Sequence, residues 1–542
     1  MMNTYLGQKG YTIMKKELEN HEIEKLKKDL LAKPHTPGMN QYGNTQTPGF
    51  PVYRESSSKL YVPRYYGIEH FGPAKESRIY EGDDVSLSFK GDLRDSQKPV
   101  VEQYMNTVNP SNTHNSSYGG SGLLELPCGF GKTALGLHIC SLLKKKTLVI
   151  VHKEFLMNQW IERIEQFLPD ARVGKIQGKV IDIENKDIVL GMLQSLSMKE
   201  YPESTFRSFG FVIIDEVHHI SSEVFSCALF KIVTKYMLGL SATMNRKDGT
   251  TKVFKMFLGD VVYKGTRDEE HDVQVRGIEY LSKDEDFKEV KHDFRGNVQY
   301  STMISKLCSY NRRSEFILRV LTDMLNENPE QQIMILAHNK NVLTYLHDAI
   351  KNREIATVGY YVGGMKEKAL KESEHQKVII ATYSMAAEAL DIKTLTTLIM
   401  ATPKTDIEQA VGRILREKHS KPVVVDIIDE HQPFRNQWAK RKSFYKKHNY
   451  KIIHCTSENY DPDIRFWNHI SFTKTKTKIT SKITASHTHN NTNTKRTSSG
   501  QCKSRVSPMK SKVLEDISEL YSPDDILMEK CLIKLPKKDS KS

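Results

Sequence analysis

The sequence predicts an α/β protein built from two units in tandem, each a parallel sheet flanked by helices. Three observations carry that expectation. Short, near-continuous apolar runs recur over residues 123–126, 147–151, 187–191, 211–214 and 237–240, the pattern of strands buried on both faces. Helical periodicities, such as those over 133–143 and 155–167, fall between these runs. The rhythm lapses over 260–300, a charged stretch that reads as hairpin-like, and resumes at Asn311. There a helix over 314–325, a strand over 332–337 and a helix over 341–351 precede strands over 355–360, 377–381, 397–400 and 422–428.

A chain of 542 residues exceeds what one core organises, so several domains are expected. Residues 1–58 read as an N-terminal helix and linker. Leu18, Ile23, Leu26, Leu30 and Leu31 recur at helical intervals in a charged stretch, and Pro, Gly, Asn, Gln, Ser and Thr dominate residues 33–58. Residues 59–92 form a small lead-in subdomain with strand-like 79–80 and 85–89. The first α/β unit covers 93–262, a charged connector 263–305, the second unit 306–456 and a basic low-complexity tail 457–542. A short apolar patch over 513–535 reads as a helix for a partner.

Charge is concentrated in that tail. The whole chain carries 80 Lys and Arg against 66 Asp and Glu, a formal +14, and residues 471–512 alone hold ten basic residues and no acid. Polyanion contact is expected there, although charge does not separate DNA from RNA or from an anionic surface. The seven cysteines lack the paired short spacings of a zinc module or disulfide frame, which suggests a reducing compartment. No run approaches the roughly 20 apolar residues of a membrane span, and a signal-peptide core is not seen.

The chemistry is centred on Leu126-Pro127-Cys128-Gly129-Phe130-Gly131-Lys132-Thr133, where an apolar run gives way to a glycine loop and then a helix. In that order glycines let backbone N–H groups approach phosphate oxygens and the helix N-terminus favours the anion. Lys132 would supply a point charge and Thr133 a hydroxyl for Mg²⁺. Leu126 stands where the usual loop has its first glycine, so only the second half of the signature is intact. Downstream, residues 211–214 end in Asp215-Glu216, at the strand end where a parallel sheet faces its ligand. Asp215 would hold Mg²⁺ and Glu216 would polarise an attacking water. Arg413 and Arg416 share one helix face at a spacing of three, a basic surface that by itself reads as merely solvated.

Asp215-Glu216-Val217-His218, followed by Leu240-Ser241-Ala242-Thr243, resembles a superfamily-two helicase. The residue strings Pro127 to Thr133 and Ser241 to Gly249 lean toward the XPB-type branch, with the poxvirus-type transcript-release helicases of large DNA viruses as the nearest likeness. The resemblance spans about 93–428. It implies two tandem RecA-like domains, ATP as cofactor with Mg²⁺, and nucleic acid as partner. It also implies roles. Gln97, with Cys128, Gly129, Phe130, Gly131, Lys132, Thr133 and Asp391, would lie on the nucleotide, Gln97 reading adenine. Lys132, Glu216, Arg413 and Arg416 would be catalytic, the arginines reaching across a cleft to the γ-phosphate. Lys153, Gln194, Ser195 and Thr382 would touch the nucleic-acid backbone, while His218, Ser241, Thr243 and Gln409 would couple ATP state to strand grip. Ala389 replaces the glycine usual beside Asp391.

The function expected from these residues is ATP-dependent translocation along, or unwinding of, nucleic acid, and the resemblance implies DNA rather than RNA. The resemblance adds a role in viral transcription, termination or transcript release, in the host cytoplasm or virion, with contact to transcription machinery through the basic tail. An RNA helicase, a duplex-DNA translocase that separates no strands, and a nucleic-acid-binding adaptor with a decayed motor are the alternatives.

Overall fold

The computed structural model describes residues 3–34, 49–109, 119–220, 223–244, 246, 248–266, 272–388, 392–415 and 421–470. Two eight-stranded sheets, each sandwiched between helices, follow a small N-terminal β subdomain.

The N-terminal subdomain departs from the expected helix and linker. Thr4–Gly7 and Gly10–Met14 form an antiparallel hairpin, to which Lys59–Val62 pairs on one side and Glu76–Ser77 on the other. The turn needs Gly10: its φ is +98°, and a Cβ there would lie 2.5 Å from the Val62 carbonyl oxygen. The helix is confined to Asn20–Asp29, opened by a capping box between Glu19 and Glu22. The strands expected over 79–80 and 85–89 are not formed. Phe89 instead stacks on Phe167, 5.1 Å between centroids, so its apolar character serves packing. The subdomain is fastened to the first large unit by polar bonds. Gln8 donates to the carbonyls of Glu203 and Lys231, and buried Arg64 donates to that of Gly119.

In the first lobe the strand order is Val180–Ile181, Val173–Gln177, Ile188–Met192, Thr147–Val151, Phe211–Ile214, Tyr236–Ser241, Ser121–Glu125 and Val261–Lys264. All neighbours are parallel except the first pair. Central strands are buried along their whole length, which is why their sequences run apolar without alternation. Leu148, Ile150, Val212 and Ile214 face one core layer, and Val149, Val151, Phe211 and Ile213 face the other.

The second lobe has the order Val358–Tyr361, Val378–Thr382, Gln332–Ala337, Leu395–Met400, Val423–Asp429, Gln274–Tyr280, Lys451–Thr456 and Asn468–Ile470, parallel until the last pair. Two expectations change here. The connector 263–305 contains an interior strand, Gln274–Tyr280, whose charges are neutralised in place: Arg276 pairs with Glu327 and Glu279 with Arg435. The ordered fold also runs past residue 456, because Trp467, only 5% exposed, donates its indole N–H to the Asp461 carbonyl and packs into the core. The rest of the expected tail, 471–542, lies outside the described residues.

These two parallel sheets flanked by helices are the tandem RecA-like arrangement. Among the described residues no helix is long and apolar enough to cross a membrane.

Candidate functional site

Three strands of the first sheet stand side by side: Phe211–Ile214, Tyr236–Ser241 and Ser121–Glu125. Being parallel, they release Asp215-Glu216, Ser241 and the glycine loop at one edge, the edge where open α/β sheets bind ligands. The loop is pinned at both ends. Leu126 N–H donates to the Ser241 carbonyl, and Gly129 and Gly131 take φ of +81° and +86° before the helix Lys132–Leu143 begins. At Gly131 a side chain would also collide, since a Cβ would sit 2.5 Å from Gln97 Nε2. Gln97 is buried; it donates to the Phe130 carbonyl at 2.8 Å and accepts from Arg94 N–H at 2.9 Å. Arg94 donates in turn to the carbonyls of Gly129 and Phe130. Gln97 therefore braces the loop with both ends of its amide.

Lys132 Nζ lies 3.4 Å from the Leu126 carbonyl oxygen and 3.7 Å from Glu216 Oε1. Burial disfavours the ammonium, but Glu216, Cys128 and Asp215 outweigh it and raise its pKa. The two carboxylates are pushed apart. Burial, reinforced by the neighbouring Glu216 charge, raises Asp215. Burial acts on Glu216 too, yet Lys132, His218, His152 and Arg413 together hold it below the usual carboxylate range. Asp215 is oriented by the Trp160 indole N–H at 2.9 Å and by the Glu216 N–H at 3.0 Å. Glu216 sits at φ +47°, a left-handed conformation rare outside glycine.

Arg413 comes from the other lobe, on the turn Gly412–Leu415 after the short helix Glu408–Val411 that carries half-buried Gln409. It is 5% exposed, and its charge acts on both Lys132 and Glu216, so the guanidinium faces them within electrostatic reach. Its turn is a 3₁₀ segment rather than the α-helix expected. Arg416 and Asp391 lie outside the described residues.

Glu216 also connects to the coupling residues. Ser241 Oγ is 3.4 Å from Glu216 Oε2 and 2.9 Å from His218 Nδ1, and it donates to the Thr243 carbonyl at 2.7 Å. His219, which the sequence left without a role, stacks on His152 with centroids 3.9 Å apart and lies 4.3 Å from His218. Burial, then the nearby His152, keeps His219 neutral, well below the usual histidine range.

Residues expected on the nucleic-acid side follow strand ends of both sheets. Lys153 opens the helix Glu154–Phe167, with its ammonium 6.0 Å from the Phe155 ring centroid. Gln194 donates to the His152 carbonyl at 2.7 Å, and Ser195 Oγ accepts from Gly178 N–H at 2.9 Å. In the second lobe Thr382 is buried beside Ser384 at 3.3 Å. Nearby, His338 Nδ1 and Thr402 Oγ1 are 2.8 Å apart, and burial and the Lys404 charge hold the His338 imidazole down to about 3.

Arg94, Trp160 and Arg246 are the site residues to which the sequence reading gave no role. Arg246 donates to the His218 carbonyl and pairs with Asp248. No local spacing could have exposed the Trp160 contact, which spans 55 residues. The donor set fits a hard cation. Asp215 and the Thr133 hydroxyl, on adjacent elements beside Lys132, offer oxygen ligands, and no cluster of three or more metal-binding side chains occurs among the described residues. That suits Mg²⁺ carried largely by a nucleotide's phosphates.

A strand–glycine-loop–helix cradle, paired acids at the end of the next strand but one and an arginine delivered from a second lobe define a nucleotide-driven, two-lobed motor. The Type III restriction enzyme, res subunit family matches residues 90–246, and the Helicase conserved C-terminal domain matches 317–418. The protein L396 of Acanthamoeba polyphaga mimivirus, whose name proposes an ATP-dependent RNA helicase, is 32% identical over 486 residues, covering 87% of this chain and 91% of the relative. QP509L of African swine fever virus (isolate Tick/Malawi/Lil 20-1/1983), named in the same way, is 30% identical over 365 residues, 62% of this chain and 71% of the relative. Among solved structures, a leucine-to-valine variant of Saccharomyces cerevisiae Dbp5 bound to RNA and ADP BeF3 aligns with a TM-score of 0.47 at 12% identity, over 67% of this chain and 90% of that one. The chain belongs to the helicase superfamily and is a nucleic-acid-dependent ATPase of the helicase type.

Proposed function

We propose that the protein is an ATP-driven motor that moves along nucleic acid and separates its strands, with DNA as the substrate. The observation that carries this reading is the convergence of Lys132, Glu216 and buried Arg413 in one interlobe cleft. Lys132 and the loop N–H groups would hold the outer phosphates, with Gln97 bracing the loop that carries them. Glu216, kept ionised, would orient and polarise the attacking water. Arg413, and Arg416 with it, would neutralise charge spreading on the transferring group. Asp215 and Thr133 would hold Mg²⁺, which supplies charge neutralisation at the phosphates. Because Ser241 touches both Glu216 and His218, loss of charge at the cleft would be felt where the strand-binding loops begin.

The two lobes would grip one strand through phosphates, by Lys153, Gln194, Ser195 and Thr382, so affinity would be salt-sensitive and weakly sequence-dependent. The XPB-type likeness of the 127–133 and 241–249 strings supports duplex DNA and a place in viral transcript release. An RNA substrate is the second reading, favoured by the names of the two viral relatives. Strand displacement from matched DNA and RNA duplexes separates the two. Displacement that persists in Glu216→Gln or Lys132→Ala protein would remove the motor assignment.

A further inference from the structure

Three imidazoles stand in a row behind the carboxylate that faces Lys132. His218 Nδ1 is 2.9 Å from Ser241 Oγ and 3.5 Å from Glu216 Oε2. His219 comes next, with ring centroids 4.3 Å apart, and His152 ends the row 3.9 Å beyond it, stacked at 30°. At these separations the rings touch. The row joins two neighbouring strand ends. His218 and His219 lie on the turn Val217–Ile220, which follows Phe211–Ile214 and the two acids, and His152 follows Thr147–Val151, its parallel neighbour.

Each end of the row meets a group with a proposed part in the motor. Glu216, at one end, would polarise the attacking water. At the other, Lys153 is the next residue after His152, and Gln194 donates to the His152 carbonyl at 2.7 Å. The backbone around the middle ring is fixed. His219 N–H donates to the Glu216 carbonyl at 3.0 Å, and Arg246 donates to the carbonyl of His218. Burial, followed by the nearby His152, His218, Lys153 and Arg246, disfavours the imidazolium, so His219 contributes a flat neutral ring. Packed groups of this kind transmit displacement because they resist compression.

We propose that His219 is a positioning residue that passes strand occupancy at Lys153 and Gln194 to Glu216 by ring contact with His152 and His218. The proposal rests on the motor reading, which puts nucleic acid at those two side chains. A strand that shifts the His152 loop moves His219 against His218, and with it the imidazole nitrogen lying between Ser241 and Glu216. Linkage requires the converse as well. Nucleotide in the cleft changes affinity for the strand by the same factor, about 5–150-fold where sites are coupled.

The test uses the full chain with His219→Ala, which removes the middle ring, His219→Phe, which keeps a flat one, and His152→Ala. Affinity for fluorescent oligothymidylate and oligouridylate is measured with and without ADP–beryllium fluoride, and ATP hydrolysis with and without the same strands. In the native chain and His219→Phe the nucleotide should change strand affinity by the same factor. His219→Ala should bring that factor within about twofold of unity. It should also lower strand-stimulated kcat about tenfold or more, with KM for ATP changed less than about threefold. His152→Ala breaks the row at its other contact, so it should act likewise, and the double variant no further. Should His219→Ala not fold, His152→Ala decides alone. A native factor of unity on both strands would overturn the proposal. So would an undiminished factor in His219→Ala, the result expected of a ring that serves stability alone, or a factor lost equally in His219→Phe. If neither strand stimulates native hydrolysis, the motor reading fails, while the affinity factor still decides the role of His219.

Discussion

In the first lobe the ends of Ser121–Glu125, Phe211–Ile214 and Tyr236–Ser241 release a glycine loop, two carboxylates and a hydroxyl. In the second, Gln332–Ala337, Val378–Thr382 and Leu395–Met400 end in His338, Thr382 and Thr402, and there is no glycine–lysine loop. Their buried charges differ in the same way. Three of those in the first lobe surround a cleft, with Asp215 raised, Glu216 lowered and Lys132 between opposing influences. Those of the second are closed pairs: Arg313 with Asp429 at 2.6 Å, and Arg441 with Asp426 at 2.7 Å, all four side chains essentially inaccessible. Arg441 also donates to the Lys404 carbonyl, and Tyr445 to Asp426. One lobe keeps its charge adjustable for a ligand that comes and goes. The other locks its charge internally and, in the proposed motor, would act as a stiff carrier for Arg413 and the loops expected to hold a strand.

If that division holds, removing the carrier's Arg413 from the cleft should hurt chemistry most. Arg413→Ala should lower kcat by about 10³ or more, in line with arginine fingers generally, while ATP affinity changes only a few-fold. Single-turnover hydrolysis with saturating nucleic acid checks it. An equal loss in affinity would mean that Arg413 holds the ground state instead.

Next in size is the locked pair. Asp429→Ala leaves Arg313 buried without its counter-ion and should cost about 3–5 kcal/mol. Thermal unfolding should drop chiefly in the second lobe, with ATP binding to the first retained. A smaller effect on the cleft is expected from Trp160→Phe, which keeps an aromatic side chain but removes the indole N–H that fixes Asp215 and leaves space where the larger, fully buried indole packed. Loss of a hydrogen bond to a charged group is worth about 1.5–3 kcal/mol, so Mg²⁺-dependent nucleotide affinity should fall about tenfold or more, alongside the drop in unfolding temperature that the cavity brings.

How much of this was legible beforehand follows from where side chains find their partners. Thr147–Val151, Phe211–Ile214 and Gln332–Ala337 could be read to the residue because strands buried on both faces are uniformly apolar. Gln274–Tyr280 could not, since Arg276 and Glu279 look like solvent-facing charge until Glu327 and Arg435 arrive from distant helices. The Thr4–Met14 hairpin was obscured for a related reason: its pairing with Lys59–Val62 crosses a polar stretch that reads as linker. At the cleft, Lys132, Asp215 and Glu216 announce themselves by motif. The residues that brace them, Arg94 and Trp160, act across 35 and 55 residues and leave no local signature.

An exposed link between the two regions is informative about how they part. Helix Glu154–Phe167 of the first lobe meets helix Glu367–Glu374 of the second through Lys371 Nζ to Glu162 Oε1 at 2.6 Å and Asn158 Nδ2 to Glu367 Oε2 at 2.6 Å. Phe155 packs against apolar residues of both lobes. The Lys371 and Glu162 side chains are about half exposed, so their pairing should contribute only ~0.2–1 kcal/mol and weaken with salt. A latch of that size holds the closed arrangement without trapping it. Lys371→Ala and Glu162→Ala should each shift a fluorescence-transfer measure of lobe closure by less than about fivefold. The double variant should shift it no further, and all three differences should vanish at high ionic strength. Additive effects that survive salt would show that the two side chains act on their own lobes rather than on each other. Closure would then rest on Phe155 and the nucleotide-side contacts alone.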